Sequence, residues 1–161
     1  EFAPQADYIG VEIAEGFVDE MRKTEASMDN LSLLQEDIRD FDMDNASLVT
    51  SLFTLQFMPM SDRQSVIENT YNALRDGGAF IFAEKTYAPD AKTQDIMTFL
   101  YYDFKRKHFD EKDIMEKEVT LRNMLKPNTW SEIKSMLHDS GFKTVQPFWQ
   151  NFLFVGAVAI K

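Results

Sequence analysis

Five carboxylates follow a short apolar segment near the start of this sequence. The segment lies around Leu33–Gln35, and a second one spans Leu48–Leu55. Both are too short for good helices and are typical of buried strands. In open α/β folds the ligand crevice lies outside the carboxyl ends of parallel strands. The turn between the two segments is therefore a predicted ligand-binding edge, and its acids are Glu36, Asp37, Asp40, Asp42 and Asp44.

Metal binding is not predicted at this turn. Asp40, Asp42 and Asp44 have the alternate spacing of a calcium loop, but that loop needs glycine at its sixth position and glutamate at its twelfth. This sequence has Asn45 and Ser51 there. His108 and His138 have no partners at metal-ligand spacing, and no nucleophile–histidine arrangement stands out.

The overall charge favours small molecules or proteins as partners. The chain has 161 residues and a formal net charge of -10, which repels phosphate backbones, so we expect no direct nucleic acid binding. The basic run Lys105–His108 is interpreted as a solvated helix face. We expect no membrane span, because no apolar run approaches about 20 residues. Without cysteines or an obvious leader, the expected location is cytoplasmic.

Strands and helices alternate along the chain. Tyr8–Ile13 predicts a strand that ends near Glu12, and a helix follows over Ala14–Thr24. Ser61 and Gln64 have the spacing of a capping box for the next helix, which leads into a continuous apolar strand at Ala79–Ala83. The remaining predicted elements are helices over about 90–126 and Thr129–Ser140, and two antiparallel strands at Thr144–Trp149 and Phe152–Ile160.

This order predicts a single α/β domain over residues 1–161 with a mostly parallel sheet and a C-terminal antiparallel hairpin. The helical segment at about 90–126 is longer than a crossover requires, and we expect it to be a lid or a dimer surface. The glycines nowhere form a strand–GxGxG–helix unit. In a doubly wound sheet a glycine-rich turn after the first strand holds the ligand. We therefore expect that strand and its turn to be missing before Tyr8. Glu1 is interpreted as a processed or truncated terminus.

An ordered set of short motifs gives the sequence a specific resemblance. The set comprises DIRD, NAS and FTLQF between Asp37 and Phe57, DGGA at Asp76–Ala79, EK at Glu84-Lys85, DFKR at Asp103–Arg106 and SGF at Ser140–Phe142. In this order the chain resembles the carboxy-S-adenosylmethionine synthase family over nearly its whole length. The resemblance implies an incomplete Rossmann-like class I methyltransferase fold, with the helical insertion after the family's fifth strand. It also implies S-adenosylmethionine or a derivative as cofactor and a role in making 5-oxyacetyl uridine in tRNA.

The resemblance also implies roles for residues at the strand ends. Glu12 stands where the family's acidic residue holds the ribose hydroxyls, and a carboxylate can accept hydrogen bonds from two vicinal hydroxyls. Asp37 would accept from the adenine amine, and Ile38 would pack on the ring. Each acid taken alone is equally well interpreted as a solvated acid at a strand end.

Several positions depart from the family pattern. Ile13 and Leu52 replace asparagines at the cofactor edge, where Phe53 follows Leu52. Glu118 aligns with the arginine that recognises the extra carboxylate, which reverses the charge, so we expect carboxy-S-adenosylmethionine to bind poorly. Arg122, one helical turn further on, is the residue that would substitute.

Two functions follow from these features. The first is a methyltransferase-like protein that depends on S-adenosylmethionine, and we expect it to be truncated and its cofactor binding to be impaired. The second is a non-catalytic, degenerate module of the same fold that acts through self-association or protein contact. A sheet without its first strand would expose apolar edges, which invites pairing with another chain. We expect a homodimer in either case.

Overall fold

The computed structural model describes residues 5–161, which form two compact units that divide after Asp42. Both units contain strands and helices. The strands are β1 (Tyr8–Val11), β2 (Leu31–Leu34), β3 (Ala46–Leu52), β4 (Leu74–Lys85), β5 (Thr144–Asn151) and β6 (Phe154–Ile160). The helices are α1 (Val18–Glu25), α2 (Met60–Ala73), α3 (Ala91–Lys105), α4 (Glu111–Met124) and α5 (Trp130–Asp139).

The first unit is a strand–helix–strand motif. Strands β1 and β2 are parallel, with Tyr8 opposite Leu31, and α1 lies between them in sequence after a short 3-10 turn. Gly10 allows a close approach within this pair, because a Cβ there would lie 2.5 Å from Leu33 Cδ2. The predicted strand, helix and strand of this region are thus all present.

The second unit is built on a four-stranded sheet in the order β3-β4-β6-β5. Strand β3 is parallel to β4, with Leu52 opposite Ala83, and the β5–β6 hairpin adds to β4 in antiparallel fashion. The predicted parallel arrangement with a C-terminal antiparallel hairpin is confirmed. Within residues 5–161 no strand pairs with both β1 and β3. That a first strand of the doubly wound sheet is missing stays a prediction. That the two units make one methyltransferase-like domain stays a prediction.

Aromatic and aliphatic side chains fill the core of the second unit. Phe80 and Phe82 on β4 stack with their ring centroids 5.1 Å apart, and Phe142 stacks on Phe80 at 6.2 Å. Helices α2 and α5 cover this face with Ile67 and Leu137, which are almost fully buried. This burial explains Phe80 and Phe82 in the apolar run of β4, and Ile81, which alternates with them on the opposite face, is half-buried.

Helix α5 has a complete capping box, whereas the cap predicted for α2 is wrong. Thr129 and Glu132 form a complete capping box at the start of α5, and Gly141 ends this helix with a φ of 112°. The capping box predicted at Ser61 is wrong. Helix α2 begins at Met60 directly after Pro59, so Ser61 already lies in the first turn and its hydroxyl donates to Asp62 Oδ1 at 2.7 Å.

The predicted helical segment at about 90–126 consists of α3 and α4. Asp90 and Asp110 cap the two helices by accepting from the backbone N–H of Thr93 and Asp113. A role as lid or dimer surface stays a prediction. In the part of the chain that the structure describes, no helix is long and apolar enough to cross a membrane.

Candidate functional site

Glu12 is fixed at the carboxyl end of β1. Its backbone N–H donates to Leu34 O at 3.0 Å, which extends the pairing with β2, and its Oε1 accepts from Ala14 N at 2.8 Å. The carboxylate is half-buried, whereas 59% of the neighbouring Ile13 is exposed. An oriented acid beside an exposed apolar side chain suits a ligand that presents both hydroxyls and a flat apolar surface.

Asp37 follows β2 and is held by a neighbour that the sequence analysis did not single out. Arg39 Nε lies 3.0 Å from both carboxylate oxygens of Asp37. Hydrogen bonds from Arg39 hold the pKa of Asp37 below its ordinary value, so it is a carboxylate at neutral pH. Ile38, between them, is half-buried. A ligand amine that bonds Asp37 must share the carboxylate with Arg39.

Leu52 and Phe53 lie at the carboxyl end of β3, in the second unit. Leu52 is 62% exposed. Phe53 has a φ of 62°, its N–H donates to Ala83 O at 2.7 Å, and its ring meets that of Phe154 edge-on at 6.0 Å. Four of the six predicted cofactor residues lie in the first unit, namely Glu12, Ile13, Asp37 and Ile38, and the other two, Leu52 and Phe53, lie in the second. That they share one site stays a prediction.

A cleft of about 260 Å³ opens in the second unit between α3, α4 and the turn of the β5–β6 hairpin. It contains both residues that the sequence analysis proposed for the substrate, Glu118 and Arg122, which lie one turn apart on α4. Its size suits a small molecule. Its polar lining includes Lys85, Gln94, Thr98, Tyr102, Glu118 and Arg122.

Positive charge prevails in and beside this cleft. Glu118 Oε1 is 2.7 Å from Lys105 Nζ, so the acid is balanced by a cation on α3. Lys85 and Arg122 add two further cations. Burial lowers the pKa of Lys85, and the nearby Glu118 opposes that change. Burial also raises the pKa of Tyr102, with Glu118 contributing, so its hydroxyl stays protonated. The interpretation of the basic run Lys105–His108 as a solvated helix face is wrong for Lys105, because only 13% of its side chain is exposed and it pairs with Glu118. Lys85 was named in the sequence analysis only as part of a family motif.

Aromatic rings form one wall of the cleft. Tyr101 on α3 contacts Phe152 and Phe154 of the hairpin, with centroid distances of 5.3 and 5.6 Å. Lys105 Nζ lies 4.5 Å from the centroid of Tyr101, a distance at which a cation is attracted by the ring face. Tyr101 of α3 is therefore packed against the hairpin inside the second unit.

A buried polar cluster lies beneath the cleft and was not predicted. Glu84, at the end of β4, is 2% exposed, and its two carboxylate oxygens accept from Leu55 N and Gln56 N at 3.0 and 2.9 Å. Burial raises the pKa of Glu84 to about 7, against the effect of these hydrogen bonds and of Arg63. The carboxyl group is thus close to changing charge at neutral pH.

Arg63 of α2 completes this cluster and is 1% exposed. Its guanidinium donates to Met58 O at 2.8 Å and to Asn128 Oδ1. The signal for its burial was in the sequence, because Arg63 has helical spacing to the buried Val66 and Ile67 and therefore lies on the apolar face of α2. Among the described residues, no group of three or more His, Cys, Asp or Glu could hold a metal ion.

The chain is similar in sequence to enzymes that share one name, carboxy-S-adenosyl-L-methionine synthase. A family model described as "Methyltransferase domain" matches residues 1–78. Carboxy-S-adenosyl-L-methionine synthase of Staphylococcus epidermidis is 36% identical over 157 residues, which is 97% of this chain and 68% of that protein. The enzyme of the same name from Shewanella halifaxensis is 39% identical over 132 residues, 81% of this chain and 54% of that protein. The chain thus spans roughly half to two thirds of the curated relatives' length.

Solved structures agree on the fold. A putative O-methyltransferase from Nostoc punctiforme matches 98% of this chain and 46% of its own, with a TM-score of 0.65 at 16% identity. The fold is that of class I methyltransferases, as the sequence analysis predicted. Identity with the synthases extends through the second unit, where the cleft lies. The chain belongs to the carboxy-S-adenosyl-L-methionine synthase family.

Proposed function

We propose that this methyltransferase-like protein binds a small anionic molecule in the α3–α4 cleft. The observation that carries the proposal is the charge of the cleft region, where Lys85, Lys105 and Arg122 face one acid, Glu118. The whole chain has a formal net charge of -10, so this local excess of cations is opposite to the general trend. A half-enclosed site with aromatic walls strengthens such charges against solvent.

Lys85 and Arg122 are the proposed contacts to the anion. Lys105 is engaged by Glu118 at 2.7 Å, and the pair contributes no net charge. Arg122 offers a guanidinium that can bind a carboxylate through two hydrogen bonds, as the family arginine aligned with Glu118 would. In this proposal Arg122 binds the extra carboxylate of carboxy-S-adenosylmethionine, from a position one turn away from that of the family arginine. We expect this chain to bind the compound with lower affinity than its relatives do.

The strand-end acids of the first unit are the proposed contacts to an adenosyl group. Glu12 is oriented by Ala14 N, and Asp37 is ionised beside Arg39, so both can accept from hydroxyl or amine donors. S-adenosylmethionine is the proposed cofactor. The 161 residues contain no glycine-rich turn to hold its methionine part, and we expect weak binding. No acid–base pair is required for transfer, because the sulfonium supplies the reactivity.

A homodimer in the cytoplasm is the proposed state of the protein. The side of α3 that faces away from the cleft exposes Ile96, Phe99 and Leu100, of which 49%, 64% and 49% is accessible. These residues have the i, i+3, i+4 spacing of one helix face. A second copy would cover them by the same face. The absence of cysteine is the reason for proposing a cytoplasmic location.

Calorimetric titration with two matched ligands tests the anion site. Benzoate carries the charge and the ring, and benzamide has the same shape without the charge. We expect the native chain to bind benzoate and not to bind benzamide. Arg122→Gln or Lys85→Gln should lower the affinity for benzoate by roughly fivefold or more. Lys92→Gln, on an exposed position of α3, is the control and should bind as the native chain does. Equal binding of benzamide, or an equal loss in the control, would refute the proposal.

S-adenosylmethionine and S-adenosylhomocysteine are titrated separately. Weak binding that Glu12→Gln abolishes and Glu15→Gln leaves intact is the expected result. Tight binding would contradict the expectation that the cradle for the methionine part is lacking. No binding of either compound or of benzoate by a well-folded dimer would favour the non-catalytic module instead.

A further inference from the structure

Two buried side chains tie the turn after β3 to the end of β4 in both directions. The carboxylate of Glu84 accepts from the backbone of Leu55 and Gln56, and the side chain of Gln56 accepts from Lys85 N at 2.8 Å. We propose that Glu84 is a positioning residue for the cleft, acting through Gln56 on the backbone that carries Lys85.

The exchange of hydrogen bonds is reciprocal and shielded from water. Glu84 and Gln56 are 2% and 6% exposed, so solvent does not compete for the three backbone donors. The side chain of Glu84, at the end of β4, bonds the turn that contains Gln56, and the side chain of Gln56 bonds the end of β4. A shift of either segment would therefore break hydrogen bonds made by both side chains. The backbone N–H of Lys85 is therefore positioned by the side chain of Gln56.

Gln56 also reaches the opposite side of the cleft. Its carbonyl oxygen accepts from Lys126 N at 3.0 Å, and Lys126 stands between the cleft residues Leu125 and Pro127. One residue thus holds the backbone on both sides of the cleft floor. The carboxylate of Glu84 sets the conformation of that residue by fixing its N–H.

The cluster itself is too small to be a second ligand site. The cavity beside Glu84 and Arg63 has about 10 Å³, room for about one water molecule. Arg63 contributes charge balance, and it also donates to Met58 O and Asn128 Oδ1. Arg63 Nε has no hydrogen-bond partner, whereas both oxygens of Glu84 are bonded to the backbone. These bonds fix the geometry, and the small cavity leaves no space for a substrate.

The charge state of Glu84 should change this geometry near neutral pH. The charged groups that face it are Arg63 from α2, with Glu132 of α5 acting on Arg63, and the adjoining Lys85. Burial raises the pKa of Glu84 to about 7. A protonated carboxyl group keeps one good acceptor and converts the other oxygen into a donor, so one of the two amides of the turn loses its partner.

Amide NMR of the full chain tests the coupling without any ligand. Between about pH 5.5 and 8.5 we expect the amide proton shifts of Leu55, Gln56 and Lys85 to move with one common midpoint. Glu84→Gln should abolish all three titrations, and Glu116→Gln, an exposed acid on α4, should abolish none. If Leu55 and Gln56 titrate while Lys85 does not move, the coupling is absent and the proposal is wrong.

A second variant protects the test against misfolding of the first. Gln56→Met removes the acceptor for Lys85 N and keeps Glu84, so the turn amides should still titrate while the amide of Lys85 exchanges faster with solvent. An unchanged exchange rate at Lys85 would overturn the proposal.

Benzoate affinity then connects the coupling to the cleft, and this step rests on the proposed function. We expect affinity to fall roughly fivefold in Glu84→Gln at pH 8 and to lose its dependence on pH around 7. Unaltered benzoate affinity and pH profile in Glu84→Gln would refute the positioning role. If the native chain binds no benzoate, the proposed function fails, and the NMR titrations still decide whether Glu84 controls the backbone at Lys85.

Discussion

Lys105 and Glu118 form an ion pair between α3 and α4, with Nζ and Oε1 separated by 2.7 Å and only 13% and 20% of the two side chains exposed. Glu118 takes the place that the resemblance gives to a carboxylate-binding arginine. The charge reversal at this position is thus accompanied by a cation across the cleft. The acid is neutralised locally, and an anion that enters the cleft does not meet an isolated negative charge.

Because of this ion pair, we predict that the arginine of the family, placed at position 118 without a second change, destabilises the protein. Glu118→Arg would place two cations at the distance where Lys105 and Glu118 now attract each other. We expect a loss of about 1–2 kcal/mol in the free energy of unfolding, since the pair is partly buried. The double variant Lys105→Glu with Glu118→Arg reverses both charges and should recover most of the loss. Urea unfolding measures both.

Glu116→Arg is the matched control for that experiment. Glu116 lies on the same helix, with its Oε1 3.7 Å from Lys112 Nζ, and 66% of its side chain is exposed. Its replacement should change the stability by less than about 0.5 kcal/mol. The interpretation fails if Glu118→Arg is as harmless as the control, or if the double variant is less stable than either single change.

Glu84 predicts a definite pH dependence of stability. Its pKa is about 7 in the folded protein and 4.5 for an ordinary glutamate. Between these values the folded protein keeps a proton that the unfolded chain releases, so the unfolded state binds fewer protons. The free energy of unfolding therefore falls as the pH rises from about 4.5 to about 7, by at most about 1.4 kcal/mol per pH unit from this group, and is level above.

Comparison of the native chain with Glu84→Gln isolates this contribution from that of the other acids. The difference between their unfolding free energies, measured by urea at several pH values, should decline over this interval and be constant above pH 7. Glu68→Gln, an exposed acid on α2, should keep the native profile. A flat difference between native chain and Glu84→Gln would show that Glu84 is ionised throughout.

Sequence patterns predicted the elements better than they predicted the polar contacts. The apolar run Ala79–Ala83 and the helical pattern over Thr129–Ser140 are local signals, and both predicted the correct element. Arg63 and Glu84 were missed because burial of a charge depends on a partner that is distant in sequence, here the turn amides and Asn128. Helical spacing could have placed Arg63 on the buried face of α2, but no local pattern links Glu84 to Gln56.

Gly141 is predicted to be required for two separable reasons. It ends α5 with a φ of 112°, and a Cβ there would lie 2.7 Å from Cζ of Tyr71. Gly77 has a φ of 75° and open space around it. Gly77→Ala should therefore cost only the strain of positive φ, about 1 kcal/mol, and Gly141→Ala should cost clearly more because the ring must move.

Thermal and urea unfolding of these two variants measure the difference directly. Since both glycines lie in the second unit, the same unfolding transition reports on both. Equal losses in the two variants would mean that the Tyr71 ring yields freely and that the contact with Gly141 contributes nothing beyond the backbone strain.

The outer face of α3 predicts self-association that depends on its apolar residues. Phe99 is 64% exposed, with Ile96 and Leu100 on the same face, and burial of such a stripe against a second copy is favourable. Phe99→Glu should raise the dissociation constant of the dimer by roughly tenfold or more, because a charge would be buried at the interface. Sedimentation velocity over a range of concentrations measures this. Phe17→Glu makes the same change at a phenylalanine of the first unit that is 59% exposed, and should leave the dimer intact. A native chain that is monomeric at every concentration, or equal dissociation of both variants, would show that α3 is not the interface.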